Sequence, residues 1–132
     1  MAIRDLLRNQ LVTQSLAPAV RTNGTATGTA VDLRGFDAAV ITVSFGAWTD
    51  GTHTPSVLES VDGTTYVAAS ASDLDGTFTP LTGTAGTNTL QQVGYIGTQR
   101  FLEVVMTTTG ATSGAVSGGN VIAGYPHNGP TQ

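Results

Sequence analysis

The sequence predicts an all-β domain of the sandwich or barrel type, and three observations carry that expectation. Thr and Val, which favour extended chain, recur along its whole length. Gly-containing clusters punctuate them at short intervals, as turns do. Two stretches, "DAAVITVSFG" at 37–46 and "RFLEVVMTTT" at 100–109, alternate with the period of two that marks a strand with distinct faces.

Taken in order, the chain begins with a segment of a different period. Ile3, Leu6, Leu7 and Leu11 fall on one helical face, so residues 1–10 are expected to form a short helix or arm. A helix this short is marginal alone and needs something to pack against, either its own domain or a neighbouring subunit. The β domain follows at 11–126. Its strands are predicted at 10–22, 27–33, 37–46, 56–61, 64–69, 89–96, 100–109 and 113–125, about eight in all, a pattern of short strands and turns. In 37–46 the alternation sets Ala39, Ile41, Val43 and Phe45 on one face and Val40, Thr42 and Ser44 on the other. In 100–109 it sets Leu102, Val104 and Met106 inward, and Phe101, Glu103 and Val105 outward. The end of the chain, 127–132, holds Pro and Gly and is expected to be an irregular tail.

Asp-Gly-Thr occurs at Asp50, Asp62 and Asp75, separated by 12 and 13 residues, about one strand plus one turn. Asp-Gly supplies the positive φ that tight turns require, so Gly51, Gly63 and Gly76 are expected there. A calcium loop would need more carboxylates than the single one each copy offers.

The composition narrows function. There is no cysteine, which removes disulfides and thiolate chemistry. Five Lys+Arg, all arginine, against nine acids give a net charge of −4 and no basic patch, so nucleic acid is not an expected partner. No apolar run approaches the roughly 20 residues of a bilayer crossing, and the N-terminus lacks a signal-peptide core, so a soluble protein made in a cytoplasm, without membrane contact, is expected. Only 11% of the residues are charged, which suggests a surface covered by neighbours instead of water.

Candidate chemistry is sparse. Asp50, His53 and Ser56 are the residue types of a hydrolase triad, but Gly51 and Pro55 interrupt them and no Gly-x-Ser-x-Gly elbow is present. They read as a turn feeding a strand. Glu59 and Glu103 could form a glycosidase pair, although solvent-facing or interfacial strand positions explain them better. His53 and His127 are not spaced as metal ligands. Trp48, Tyr66, Tyr95 and Tyr125 leave open a carbohydrate-binding or host-attachment module of a phage tail or fibre, if they gather on one face. No catalytic residues, cofactor or metal are expected, and no enzymatic activity.

Three segments, "VDLRGFDAAVITV" (31–43), "TDGTHTPSVLESVDGTTY" (49–66) and "QQVGYIGTQRFLEVVMTTTGATSGA" (91–115), resemble a family of small proteins encoded near the major capsid gene of tailed bacteriophages. The resemblance runs from Leu11 to Pro126, and "DGTHTP" and "GYIGTQRF" are its most specific parts. It implies a jelly-roll-like β-sandwich and the role of a capsid decoration, or cement, protein that sits on the outer surface of the virion. It implies the major capsid protein as partner, a homo-oligomer (dimer or trimer), and no catalytic residues. Where that family's "GYIGTQRFLEV" segment tends to be basic, this chain has Gln99 and Glu103. The expected interface residues are Ile3, Leu6 and Leu7 on the arm, with Val40, Phe101, Glu103 and Val105 on outward strand faces.

Overall fold

The structure, a computed structural model, describes residues 6–126. Two antiparallel sheets pack face to face as an all-β sandwich, consistent with a jelly roll. The strands are β1 (Gln10–Arg21), β2 (Gly24–Thr27), β3 (Val31–Asp32), β4 (Phe36–Trp48), β5 (Thr52–Ser60), β6 (Val67–Ala68), β7 (Leu74–Asp75), β8 (Thr89–Tyr95), β9 (Phe101–Thr109) and β10 (Ala115–Pro126). One sheet, here the β4 sheet, has the order β1-β10-β4-β8-β7. The other, the β9 sheet, has the order β2-β9-β5-β6, with β3 also paired to β9.

The two strongest strand expectations hold. Ile41, Val43 and Phe45 of β4 and Leu102, Val104 and Met106 of β9 are buried, and they meet Val121, Leu16, Val57 and Tyr95 in one core. Each strand lends alternate side chains to that core because its pleat turns every second residue inward. Burying each large aliphatic side chain stabilises the fold by roughly 1.5–3 kcal/mol.

Elsewhere the elements differ. The N-terminal helical stripe does not form a helix across the described residues. A single 3-10 turn covers Leu7–Asn9, and Leu11 already lies in β1, half-buried against the core. The reason is pairing: Gln10, Leu11 and Val12 align with Gly124, Ala123 and Ile122 of β10, and a ladder of long-range hydrogen bonds outweighs a marginal helix. Ile3 lies outside the described residues, as does the 127–132 tail.

The strand expected at 27–33 is split into β2 and β3. Gly28 between them donates its N–H to the Val104 carbonyl, and a Cβ there would lie 2.5 Å from Ser15, so the chain passes too close to β1 for a side chain. Ser15 closes this edge of the sandwich, donating through Oγ to the Thr29 carbonyl and accepting from the Val104 N–H. The strand expected at 64–69 shrinks to β6, because Asp62 holds residues 62–65 in a turn by accepting from the N–H groups of Thr64 and Thr65. All three Asp-Gly-Thr glycines have positive φ: Gly51 at 90°, Gly63 at 78° and Gly76 at 111°.

Candidate interaction surface

The chemistry-bearing residues do not converge. His53 is fully buried. Its Nε2 donates to the Asp50 carbonyl and its Nδ1 lies 3.0 Å from the Thr108 hydroxyl, so both ring nitrogens are occupied. Ser56 has the opposite parity in β5 and points out of the other face of the sheet, opposite Val105. The Asp50 carboxylate is committed elsewhere: it accepts from the N–H groups of Thr112, Ser113 and Gly114, the last at 2.6 Å. Asp50 thus pins the β4–β5 connection to the β9–β10 connection, and His53 ties that turn to β9.

The glutamates separate in the same way. Glu59 faces inward beside Leu102 and is 7% exposed, contrary to the solvent-facing or interfacial position expected for it. The Tyr95 hydroxyl, donating to Glu59 Oε2 at 2.7 Å, makes that burial tolerable. Burial and this bond push the Tyr95 hydroxyl pKa up. Glu103 pairs with Leu58 and points outward, so the two carboxylates lie on opposite faces of one sheet. The aromatics are dispersed as well: Tyr95 is core, Trp48 packs against the core, and Tyr125 is 76% exposed.

Asp32, Asp50 and, through the Thr65 and Thr64 N–H groups, Asp62 are held in their charged form. The Arg100 guanidinium, in a two-pronged bond to Asp32, holds that carboxyl at about 2 instead of 3.8. The Gly114 and Thr112 N–H groups hold Asp50 below the ordinary range. A depressed folded-state pKa contributes stability that is complete above the unfolded value and is lost as the pH falls through the folded value. Urea midpoints are therefore expected to change little from neutral pH to about 4, then to fall towards about 2. Asp50→Asn should flatten part of that acid fall. An unchanged acid slope in this variant would show that the loop amides do not select the charged form.

The outward face of β9 is not the exposed apolar patch that the alternation suggested. Val105 has the expected parity but is only 5% exposed, because β9 is a central strand and Thr27 and Ser56 flank it on both sides. Phe101 is half-buried under the 61–65 turn; a Cβ on Gly63 would lie 3.1 Å from its ring. The Arg100 guanidinium sits 4.8 Å from the ring centroid. Burial pushes the Glu103 pKa up, and burial, followed by the Glu103 charge, raises that of Tyr66. On this face the 61–65 turn covers Phe101 and the flanking strands cover Val105.

The open face belongs to the β4 sheet. Its outward positions form cross-strand rows fixed by the register. One row is Val12–Ile122–Val40–Gly94, and the next is Gln14–Asn120–Thr42–Gln92. A third carries Gly118, Ser44 and Leu90. No Asp, Glu, Lys or Arg occupies these positions on β1, β10, β4 and β8, and the first row runs on past Gly94 to Asp75 on the β7 edge. Val12 is 53% and Leu90 64% exposed. At one end lies a groove of about 520 Å³ lined by Leu6, Gln10, Ala38, Val40, Ile122 and Tyr125. Tyr125 has a φ of 54°, a conformation uncommon for a bulky residue and costly to hold. Val40 and Leu6 thus border one surface, while Leu7 is exposed beside it and Phe101, Glu103 and Val105 lie on the opposite side of the sandwich. Val12, Leu90 and Ile122 were not singled out by the sequence reading, and Tyr125 was named there only among the dispersed aromatics. Their signal is the lack of charge at every second position of four separate strands.

The fold places the chain among β-sandwich proteins. No family model matches the chain, and no curated protein does. Among solved structures it is similar to the SPBc2 prophage-derived protein YomS, at 13% identity and a TM-score of 0.49, covering 87% of this chain and 93% of that one. It is similar to the Tobacco streak virus coat protein, solved as a dimer, at 14% identity and a TM-score of 0.38, covering 92% and 89%. It is also similar to CsCBM6-3 from Clostridium stercorarium, solved with cellobiose, at 18% identity and a TM-score of 0.37, covering 88% and 82%.

Proposed function

We propose that this protein is a structural component of a tailed-bacteriophage particle, a decoration protein that binds the outside of the assembled capsid and stabilises it. The observation that carries the reading is the outer face of the β4 sheet: four adjacent strands present apolar and uncharged polar side chains where a solvated sandwich would present charge. A face of that kind is a liability for a free protein and an asset for one that is covered on assembly. The separation of His53 from Ser56, and of Glu59 from Glu103, supports a binding role over a hydrolytic one. The resemblance of three segments to the decoration family points the same way, with the major capsid protein as partner.

Mechanically the role asks for no catalytic group. A protein that binds the assembled shell and not its free subunits stabilises assembly by mass action, and many copies multiply the effect. The test is co-sedimentation of the purified protein with shells of a phage whose capsid gene lies beside its own. Bound shells should survive heating that disrupts bare ones. Ile122→Asp should lower occupancy while circular dichroism stays unchanged. Failure of the wild-type protein to sediment with the shells, or shells equally fragile with and without it, would remove this reading.

A further inference from the structure

We propose that the small pocket at the β1–β2 edge of the sandwich is a carboxylate-binding site, with the Arg21 guanidinium as its cation. The carboxylate belongs either to a free organic acid or to an acidic residue of a partner protein, and the recognition chemistry is the same for both. The inference does not depend on the particle role.

Position comes first. Arg21 ends β1 opposite Ala115, and residues directly opposite in a ladder share a face. Ala115 is buried in the core, so Arg21 lies on the inner side of an edge strand, half-buried. Beside it opens a pocket of about 190 Å³, lined also by Thr22, Asn23, Thr25, Met106 and Thr108. That is roughly the share of six waters, enough for a carboxylate and the atoms that carry it. An inward charge on an edge strand also guards against edge pairing, but a guard needs neither a pocket nor donors gathered round it.

The cation is uncompensated. Arg100 is held by Asp32 in a two-pronged bond, and Arg34 lies in the field of the same carboxylate. No carboxylate lines the Arg21 pocket among the described residues. Burial alone moves the Arg21 pKa, downward, as it does for a cation drawn from water without a counter-charge. One terminal nitrogen donates to the Ala17 carbonyl, while the buried Nε–H has no partner. An orphaned donor of this kind is a standing cost. A carboxylate in the pocket removes it: a rotation of the side chain brings Nε–H and a terminal N–H to its two oxygens, the pairing that Arg100 makes with Asp32.

The surrounding groups donate. Asn23 Oδ1 accepts the Ala111 N–H at 2.7 Å, which leaves the amide nitrogen, a pure donor, on the other branch. Thr22 and Thr25 are exposed and bring hydroxyls. Ligand charge follows from the same inventory. One cation balances one negative charge, and a chain of net charge −4 repels a dianion more than a monoanion, so the site favours carboxylate over sulfate.

The experiment titrates the full chain with sodium acetate, holding ionic strength constant with chloride. NMR follows the Arg21 Nε–H, identified by its loss in Arg21→Gln, and the Asn23 side-chain amide. Both signals should shift saturably with a Kd of about 1–20 mM, a range open to a ligand of about four heavy atoms. Arg21→Lys keeps the charge and the stem but not the fork, so the Asn23 signal should report binding at least about fivefold weaker. Circular dichroism confirms that the variants are folded. No saturable shift by about 100 mM acetate, an equal response to chloride, tighter binding of sulfate, or an unchanged Kd in Arg21→Lys overturns the proposal. Shell co-sedimentation then separates the two sources. A partner's carboxylate is displaced by acetate at about 100 mM and its shells are lost on Arg21→Lys, whereas a free acid leaves occupancy unchanged in both arms. Wild-type protein that binds acetate but no shells upholds the site and removes the particle role.

Discussion

Replacing Leu102 with serine is expected to unfold the protein at physiological temperature. Leu102 has no exposed surface and lies in β9 between Val31 of β3 and Glu59 of β5. Truncating a buried leucine costs about 2–5 kcal/mol through lost transfer energy and the cavity left behind. The new hydroxyl, buried without a partner, adds about 1–3 kcal/mol. A domain of this kind has only about 5–15 kcal/mol to lose. Phe101→Ser provides the internal control. Its side chain is partly exposed, under the 61–65 turn, so the loss should be smaller and the chain should still melt cooperatively. The measurement is urea unfolding followed by circular dichroism. The reverse order of stabilities would mean that the strand is out of register by one residue, because a shift of one exchanges the two faces.

Gly114→Ala should be almost as damaging, for a different reason. Gly114 has a φ of 80°, and a Cβ there would stand 1.9 Å from the Arg21 carbonyl oxygen and 2.8 Å from its carbonyl carbon. Those are backbone atoms at the end of β1 and cannot rotate away. Relief requires β1 to separate from β10 where Arg21 pairs with Ala115, and it also pulls the Gly114 N–H from the Asp50 carboxylate. Gly110 is the matched control, with a φ of 66° and no atom within 4 Å of the would-be Cβ. Gly110→Ala should cost only the conformational term, about 1 kcal/mol. Gly114→Ala should cost at least about 2 kcal/mol more, in the range of severe steric substitutions. Equal losses in the two variants would show that the β1 terminus yields freely, and the contact would then count for little.

Much of the fold was legible because its signals are local. The period of two in 37–46 and 100–109 assigned the inward residues of β4 and β9, since every second side chain of a strand shares a face wherever the strand lies. The Asp-Gly pairs announced positive φ because few other residues tolerate it. The failures came where a distant segment decided. Leu11 fits a helical stripe, yet β10 supplies it with a ladder, and Gly28 interrupts an otherwise plausible strand because Ser15 lies against it.

The candidate surface divides along the same line. By itself the sequence determined that the chain is all-β and which residues of its two clearest strands turn inward. It also contained, strand by strand, the uncharged alternate positions of β1, β4, β8 and β10. Only the tertiary structure made them one surface, by setting β1, β10, β4 and β8 side by side in an order unrelated to the order of the chain. Only the tertiary structure closed the competing face, by laying the 61–65 turn over Phe101 and flanking Val105 with two strands. The physical reason is that a side chain's parity is a property of its own backbone, whereas its exposure depends on which segments, far away in sequence, come to lie beside it and over it.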